Sequence, residues 1–267
     1  MRAAFFVSAY PLPMHIATWN LNSLRVRLPH LLEWLEGQND TIVGLQELKL
    51  ADEDFPFEAL RDAGWHAVCN GQKTYNGVAI LARSEPTAVQ RDMPEVEDPQ
   101  KRVIAATVDG VRIICAYVPN GQSVDSQKYH YKIEWLQQFR AFVAAEARVH
   151  PELAVVGDFN IAPTPEDTHD PESWEGRILC SGPERAGFEA LLELGLTDSF
   201  TKIPTPEQRY TWWDYRAAGF RRNLGLRIDH VLLSQPLAER VTGWEVDLAP
   251  RRLERPSDHA PVIARLD

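Results

Sequence analysis

The chain has 267 residues, 44% hydrophobic and 25% charged, enough for one large packed domain and unlike a disordered or fibrous sequence. Its formal net charge of −10 argues against a protein that coats nucleic acid through a basic surface, though not against a site that binds a polyanion on one face. Three cysteines, Cys69, Cys115 and Cys180, lie far apart with no CxxC pair, which excludes a disulfide framework and a thiolate zinc site. Cys115 falls in the apolar run VRIICAYV and reads as a core thiol, so the composition suits the reducing cytoplasm.

Residues 1–13 (MRAAFFVSAYPLP) are too short for a membrane span and lack a signal-peptide pattern, so they read as an extension ahead of a single domain over 14–267. A strand is predicted over 15–19 and a helix over 27–37, with Leu28, Leu31, Leu32 and Leu35 at helical spacing and Gly37 as its stop. Strand 41–46 follows, ending at Glu47, then a short helix over 54–63 and a strand near 65–69. Strands 77–82 and 102–108 come next, and Asp109-Gly110 joins the second to 111–118 as a hairpin. A long amphipathic helix is expected over 125–147, strand 153–157 ending at Asp158, and a helix over 184–194 closed by Gly195. Strands 228–233 and 260–266 complete the series. Many strands with few long helices favour two packed sheets with helices outside over a doubly wound fold, and no GxGxxG follows the first strand. The Pro- and acid-rich segment 163–173 reads as a functional surface loop between core elements.

The polar residues carry the functional signal. Asn20, Asn22, Glu47, Asn120, Asp158, Asn160, Asp229, Asp258 and His259 all sit at or just beyond the end of an apolar run. Strand ends that converge on one sheet edge would gather these groups in one cleft. Carboxylate and amide oxygens suit Mg²⁺ or Mn²⁺ rather than zinc. Any one of them alone is equally readable as a turn or a cap.

The ordered motifs ATWNLNSLRVR (17–27), GLQELK (44–49), YNGVAIL, AYVPNG (116–121), VVGDFNIAP (155–163), YTWWDYR (210–216), NLGLRIDHVLLS (223–234) and SDHAPV (257–262) resemble the exonuclease III family of apurinic/apyrimidinic endonucleases, within the endonuclease/exonuclease/phosphatase superfamily. The resemblance spans nearly the whole chain. It implies a four-layer α/β-sandwich, two mixed β-sheets flanked by helices. It implies a metal-dependent phosphodiesterase that incises DNA 5′ to abasic sites, leaving a 3′-hydroxyl, and that trims 3′ ends and removes 3′-phosphates from duplex DNA. The implied partner is double-stranded DNA with abasic sites or blocked 3′ ends, met by a monomer with no membrane association.

Roles follow by resemblance. Glu47 is the surest metal ligand, with Asn20, Asp158, Asn160 and Asp258 as companions. Asp158 is expected to orient or deprotonate the attacking water, with Asn160 fixing it, Tyr117 near the phosphate or leaving oxygen, and Asp229 orienting the neighbourhood. His259 is expected to hydrogen-bond a phosphate oxygen, as a cation or as a neutral base. Asn120 and Asn22 support phosphate binding, although some relatives carry an acid where Asn22 stands. Trp212 and Leu226 are expected to wall an abasic pocket, with Leu226 where some relatives have Trp. Arg25, Lys49, Arg216 and Arg227 are expected to clamp backbone phosphates. Two rival readings are a superfamily enzyme acting on a non-DNA phosphate ester and a catalytically inactive nucleic-acid-binding regulator. The second would lack one of Glu47, Asp158, Asp229, Asp258 or His259, and all are present.

Overall fold

The structure, a computed structural model, describes residues 13–204 and 208–267, so the extension expected over 1–13 lies, apart from Pro13, outside the described residues. Four strands open the chain: β1 (Met14–Asn20), β2 (Thr41–Gln46), β3 (His66–Asn70) and β4 (Val78–Ala82). Next come β5 (Thr87–Arg91), β6 (Val103–Val108), β7 (Val111–Tyr117), β8 (Leu153–Asp158) and β9 (Leu196–Asp198). A short ribbon of β10 (Trp212–Trp213) and β11 (Gly225–Leu226) precedes β12 (Asp229–Ser234), β13 (Val241–Val246) and β14 (Val262–Leu266). The helices are α1 (Leu24–Glu36), α2 (Phe57–Asp62), α3 (Gln127–Val149), α4 (Pro171–Trp174), α5 (Gly182–Leu192) and α6 (Gln235–Ala238).

Two six-stranded sheets form, in the orders β13-β14-β1-β2-β4-β3 and β5-β6-β7-β8-β12-β9. Each is mixed: β1–β2 and β7–β8 run parallel and the other pairs antiparallel. Side chains alternate across each strand, so every strand feeds two cores. In β1, Ile16 faces the space between the sheets, with Ile42, Ile80, Ile104, Ile113, Val156 and Val231. Ala17 and Trp19 face outward, where Leu31, Trp34 and Leu35 of α1 cover them. On the other flank, Trp135, Phe139 and Phe142 of α3 and Phe188 of α5 cover Ile114 and Val155. Three apolar interfaces between four layers give the expected sandwich. Burial on both faces is why these strands read as near-continuous apolar runs.

Local chemistry fixes the elements. Asp109 and Gly110 both take positive φ, 48° and 88°, as the two-residue turn requires, and Val108 pairs directly with Val111. Ser126 caps α3 by accepting the backbone N–H of Tyr129. Ser181 and Glu184 form a reciprocal capping box at the start of α5. Gly44 marks a close approach of the sheets: a Cβ there would lie 2.5 Å from Val156 Cγ2 and 3.1 Å from Cys115 Sγ. The helices begin or end two or three residues away from the sequence expectation, and α1 carries Pro29 within it. Strands β5, β9 and β13 had no counterpart in the sequence reading.

Candidate active site

The topology brings the polar strand ends to one edge. Parallel β1 and β2 finish together, with Asn20 beside Gln46 and Glu47 one residue on. Parallel β7 and β8 finish together, with Tyr117 beside Asp158. Antiparallel β12 starts where β8 stops, so Asp229 pairs in register with Asp158. Antiparallel β14 enters at the end where β1 leaves, which delivers Asp258 and His259.

Glu47, Asp158 and His259 each offer one donor atom within 4.8 Å of the others, an arrangement able to hold a divalent cation. Asn20 bridges the two carboxylates, its amide donating to Glu47 Oε1 at 2.9 Å and Asp158 Oδ2 at 2.8 Å. Its carbonyl oxygen, for its part, accepts from the Asn22 backbone N–H at 2.9 Å. Asn160 is likewise committed at both ends of its amide: Nδ2 donates to Val118 O at 3.0 Å and Asp158 Oδ2 at 3.3 Å, while Oδ1 accepts from Asn120 Nδ2 at 3.0 Å. Asp258 stands outside the cluster. Its two oxygens accept from Asn22 Nδ2 at 2.9 Å and Trp212 Nε1 at 3.0 Å. Glu47 and Asp158 belong to the cluster that could hold a cation, and Asn20, Asn160 and Asp258 stand beside it, engaged in the bonds just given.

His259 is buried, with Nδ1 2.9 Å from Asp229 Oδ2 and Nε2 3.7 Å from Asp158 Oδ2. Burial alone would lower its pKa, but the Asp229 and Asp158 charges outweigh that and raise it to about 10. Of the two states left open by the sequence, the imidazolium is favoured here, and while charged it has no lone pair for a metal. Burial pushes the Asp158 carboxyl up to about 7, against the pull of His259, with Asp229 and Glu47 adding to the rise. Burial and the neighbouring carboxylates Glu47 and Asp158 hold the Tyr117 phenol well above its ordinary range. Burial opposes ionisation of Asp258, yet His259, Trp212 and Asn22 keep its pKa below the usual carboxylate value. Such opposed environments for neighbouring acids are a hallmark of acid–base sites.

Backbone strain gathers at the same edge. Asn22, Ser23, Glu47, Lys49 and Asn160 all have positive φ, between 47° and 99°. Each costs on the order of 1 kcal/mol for a residue with a Cβ, an expense found where side-chain placement is functional.

The expected clamps divide. Arg216 is exposed at the rim and Arg25 is exposed but pairs with Asp54. Lys49 donates to Asn22 Oδ1 at 2.5 Å and lies 2.9 Å from Glu47 Oε2, so it neutralises the cluster rather than standing free. Arg227 corrects the sequence reading. It is 2% exposed, bidentate to Asp167 at 2.7 and 3.0 Å, bonded to Asp198 at 2.6 Å and set over the Phe200 ring. A guanidinium so enclosed does not face solvent; it ties the loop at Asp167 to Asp198 at the end of β9 instead. Leu226 is fully buried with Ala162, Leu179, Cys180 and Ile228, and half-buried Trp212 packs against them. Trp213, by contrast, is core.

Three supporting residues escaped the sequence reading. Thr211 Oγ1 donates to Asp229 Oδ2 at 2.6 Å and accepts the backbone N–H groups of Ile228 and Asp229. Ser257 Oγ donates to Asn20 O at 2.7 Å and accepts from His259 N, tying β1 to the SDH turn. Lys132 is wholly buried in α3, and a lysine on the apolar face of an amphipathic helix was the available signal. Beside Tyr117 and Asn120 opens a trench of about 660 Å3, bordered also by Tyr75, Arg102, Lys128 and Tyr131.

Two mixed sheets in face-to-face contact, with an acidic cluster and a buried histidine at one edge, define a metal-dependent phosphodiesterase. The chain belongs to the endonuclease/exonuclease/phosphatase family, whose model matches residues 17–259. It is similar to exodeoxyribonuclease III of Haemophilus influenzae, 38% identical over 265 residues, covering 94% of this chain and 99% of that protein. Among solved structures, it matches a 3′-5′ exonuclease from Neisseria meningitidis at 52% identity and TM-score 0.93, covering 95% of this chain and 100% of that one. An AP endonuclease from Archaeoglobus fulgidus matches at 37% identity and TM-score 0.91, covering 95% and 99%.

Proposed function

We propose that this protein is a DNA repair nuclease that incises duplex DNA 5′ to abasic sites, leaving a 3′-hydroxyl, and clears phosphates and nucleotides from 3′ ends. The carrying observation is one hydrogen bond. Trp212, half-buried against the apolar cluster of Ala162, Leu179, Cys180, Leu226 and Ile228, donates to Asp258, whose neighbour His259 faces Asp158. A partly exposed aromatic ring is thereby tied to the acidic edge that would carry the phosphate chemistry. A nucleotide whose base is missing is favoured against such a ring, because less must be unstacked to extrude it.

The residues fit a hard cation. Glu47 and Asp158 supply anionic oxygens, and Mg²⁺ or Mn²⁺ is the proposed occupant. Such an ion supplies Lewis-acid neutralisation of the phosphoryl oxygens and of the leaving oxygen. The chain does the rest. Asp158, buried and oriented by Asn20 and Asn160, accepts the proton of the attacking water. Protonated His259 donates Nε2–H to a non-bridging phosphate oxygen, with Asp229 fixing its other nitrogen. Tyr117 keeps its phenolic proton and offers it as a donor at the same edge. Arg216, Arg102 and Lys128 line approaches for the phosphate backbone. These contacts carry no base identity, so binding weakens with salt and shows little sequence preference.

Work at 3′ ends has its own support, since a 51%-identical Neisseria structure is described as a 3′ phosphatase bound to a product DNA hairpin. Three buried, unpaired cysteines fit a cytoplasmic enzyme. The test uses one duplex with a single synthetic abasic site and another with a recessed 3′-phosphate, each with Mg²⁺, with Mn²⁺ and with EDTA. Metal-dependent incision of the first and phosphate release from the second are expected. A protein that leaves both duplexes intact with either metal would overturn the reading.

A further inference from the structure

Lys132 has no place in the chemistry above, yet its ammonium lies directly behind it. The side chain is wholly buried in α3. Its Nζ donates to the carbonyl of Asn160 at 2.7 Å, to the carbonyl of Asn120 at 3.3 Å, and to Glu184. All three ammonium protons are thus placed, two of them on residues whose side chains meet each other: Asn120 Nδ2 donates to Asn160 Oδ1, and Asn160 Nδ2 reaches Asp158 Oδ2. Glu184 is equally committed. It accepts from Leu179 N at 3.0 Å, Ser181 N at 3.0 Å and Ser181 Oγ at 2.6 Å, and Ser181 Oγ returns to α3 through the Tyr129 hydroxyl at 2.7 Å.

We infer that Lys132 is a positioning residue, which uses the Glu184-anchored start of α5 as a fixed post and holds the Asn120–Asn160 pair against Asp158. The need is physical. Asn120 and Asn160 sit on separate loops, after β7 and after β8, and Asn160 is held at φ 50°. Their side-chain contact alone would not fix the spacing of two loops, one of them strained. A shared cation on both carbonyls does, and its charge is buried where bending those bonds costs most. Leu179, whose N–H donates to Glu184, packs in the buried apolar cluster with Leu226 and partly buried Trp212. The buried ion pair therefore joins the amides beside Asp158 to that cluster.

A purely scaffolding lysine would predict lost stability and nothing else, so the test separates the two. Lys132→Met alone leaves Glu184 buried and uncompensated. Lys132→Met with Glu184→Gln removes both charges and restores a neutral core. Lys132→Arg keeps the charge against Glu184 but changes the geometry at the carbonyls, giving a second folded variant. On the abasic duplex with metal, kcat is expected to fall about 10- to 100-fold in the double variant, as for partners one step behind a reacting group, while KM stays within about twofold. In the metal-free proteins, the side-chain amide protons of Asn120 and Asn160 are expected to exchange with solvent about tenfold faster in the double variant. Folded variants with wild-type kcat and unchanged exchange would overturn the inference. The inference rests on the phosphodiesterase reading, and wild-type protein run alongside keeps them apart: inactive wild type defeats that reading, whereas active wild type with equally active variants defeats this one.

Discussion

Arg227→Met puts the buried guanidinium to a quantitative test. The substitution keeps the aliphatic stem and removes a cation from between Asp167 and Asp198, both themselves buried. Four contacts vanish: two to Asp167, one to Asp198 and the Arg227–His230 contact at 3.0 Å. Breaking a buried pair from one side costs about 3–5 kcal/mol, because the stranded carboxylates stay buried. For a chain of this size that corresponds to a fall in Tm of about 6–20 °C. The pH dependence is the sharper reading. In the wild type, burial would raise the carboxyl pKa values, but Arg227 outweighs it and holds Asp167 and Asp198 below the ordinary value. Depressed carboxylates give stability that is present above their unfolded pKa of about 3.9 and lost as pH falls through the folded values. Without Arg227 the burial remains and the largest pull is gone, with weaker ones from His230 and Thr164 left behind, so the carboxyls of the variant protonate at higher pH. The gap between wild type and variant should therefore be widest near neutrality and narrow toward pH 4. Urea melts at pH 7, 5.5 and 4 measure it. A gap under about 1 kcal/mol at pH 7, or one that does not close with acid, would refute the buried-network account; intact stability with weaker, less salt-sensitive DNA binding would restore Arg227 as a phosphate clamp.

In metal-free protein the His259 imidazole should titrate near 10 by NMR and move down in Asp229→Asn; a midpoint near 6.5 in the wild type would remove the imidazolium from the proposed chemistry. Trp212→Ala should depress abasic incision about tenfold more than 3′-phosphate release, the scale of one pocket contact, and equal losses on both duplexes would contradict the pocket role. Gly44→Ala should cost about 1–3 kcal/mol by forcing the sheets apart, with partial recovery in combination with Val156→Ala. Unchanged melting of Gly44→Ala would mean that the sheets adjust at no cost.

What could be read before the fold was known divides along a physical line. Strands buried on both faces, such as β1, β2, β7 and β8, announce themselves as apolar runs, and their polar ends mark the site. Of the four edge strands, only β3 does. β5 (TAVQR) and β13 (VTGWEV) lie at sheet margins with much of their length exposed, and β9 has three residues. Their strand state comes from a neighbour's hydrogen bonds rather than from their own pattern. Glu47, Asp158 and His259 were legible because strand ends fix where they point. The destinations of Arg227 and Lys132 were not, since a long cation looks the same in sequence whether it meets water or two buried carboxylates. Asn20, Asn160 and Asp258 were legible as polar residues bound for the same edge, whereas the hydrogen bonds that engage them there are invisible in sequence.

The position of β14 in its sheet has a temporal consequence. This strand follows all the others in the sequence, yet it lies between β13 and β1 and carries in His259 just ahead of it. As the chain is synthesised from its N-terminus, β1 and β2 emerge early and wait, one side of β1 unpaired, while the second sheet is made. His259 arrives just ahead of the strand that closes that gap. On the proposed chemistry, a chain interrupted before residue 259 would be open at the edge of β1 and without its imidazolium, inert rather than unselective.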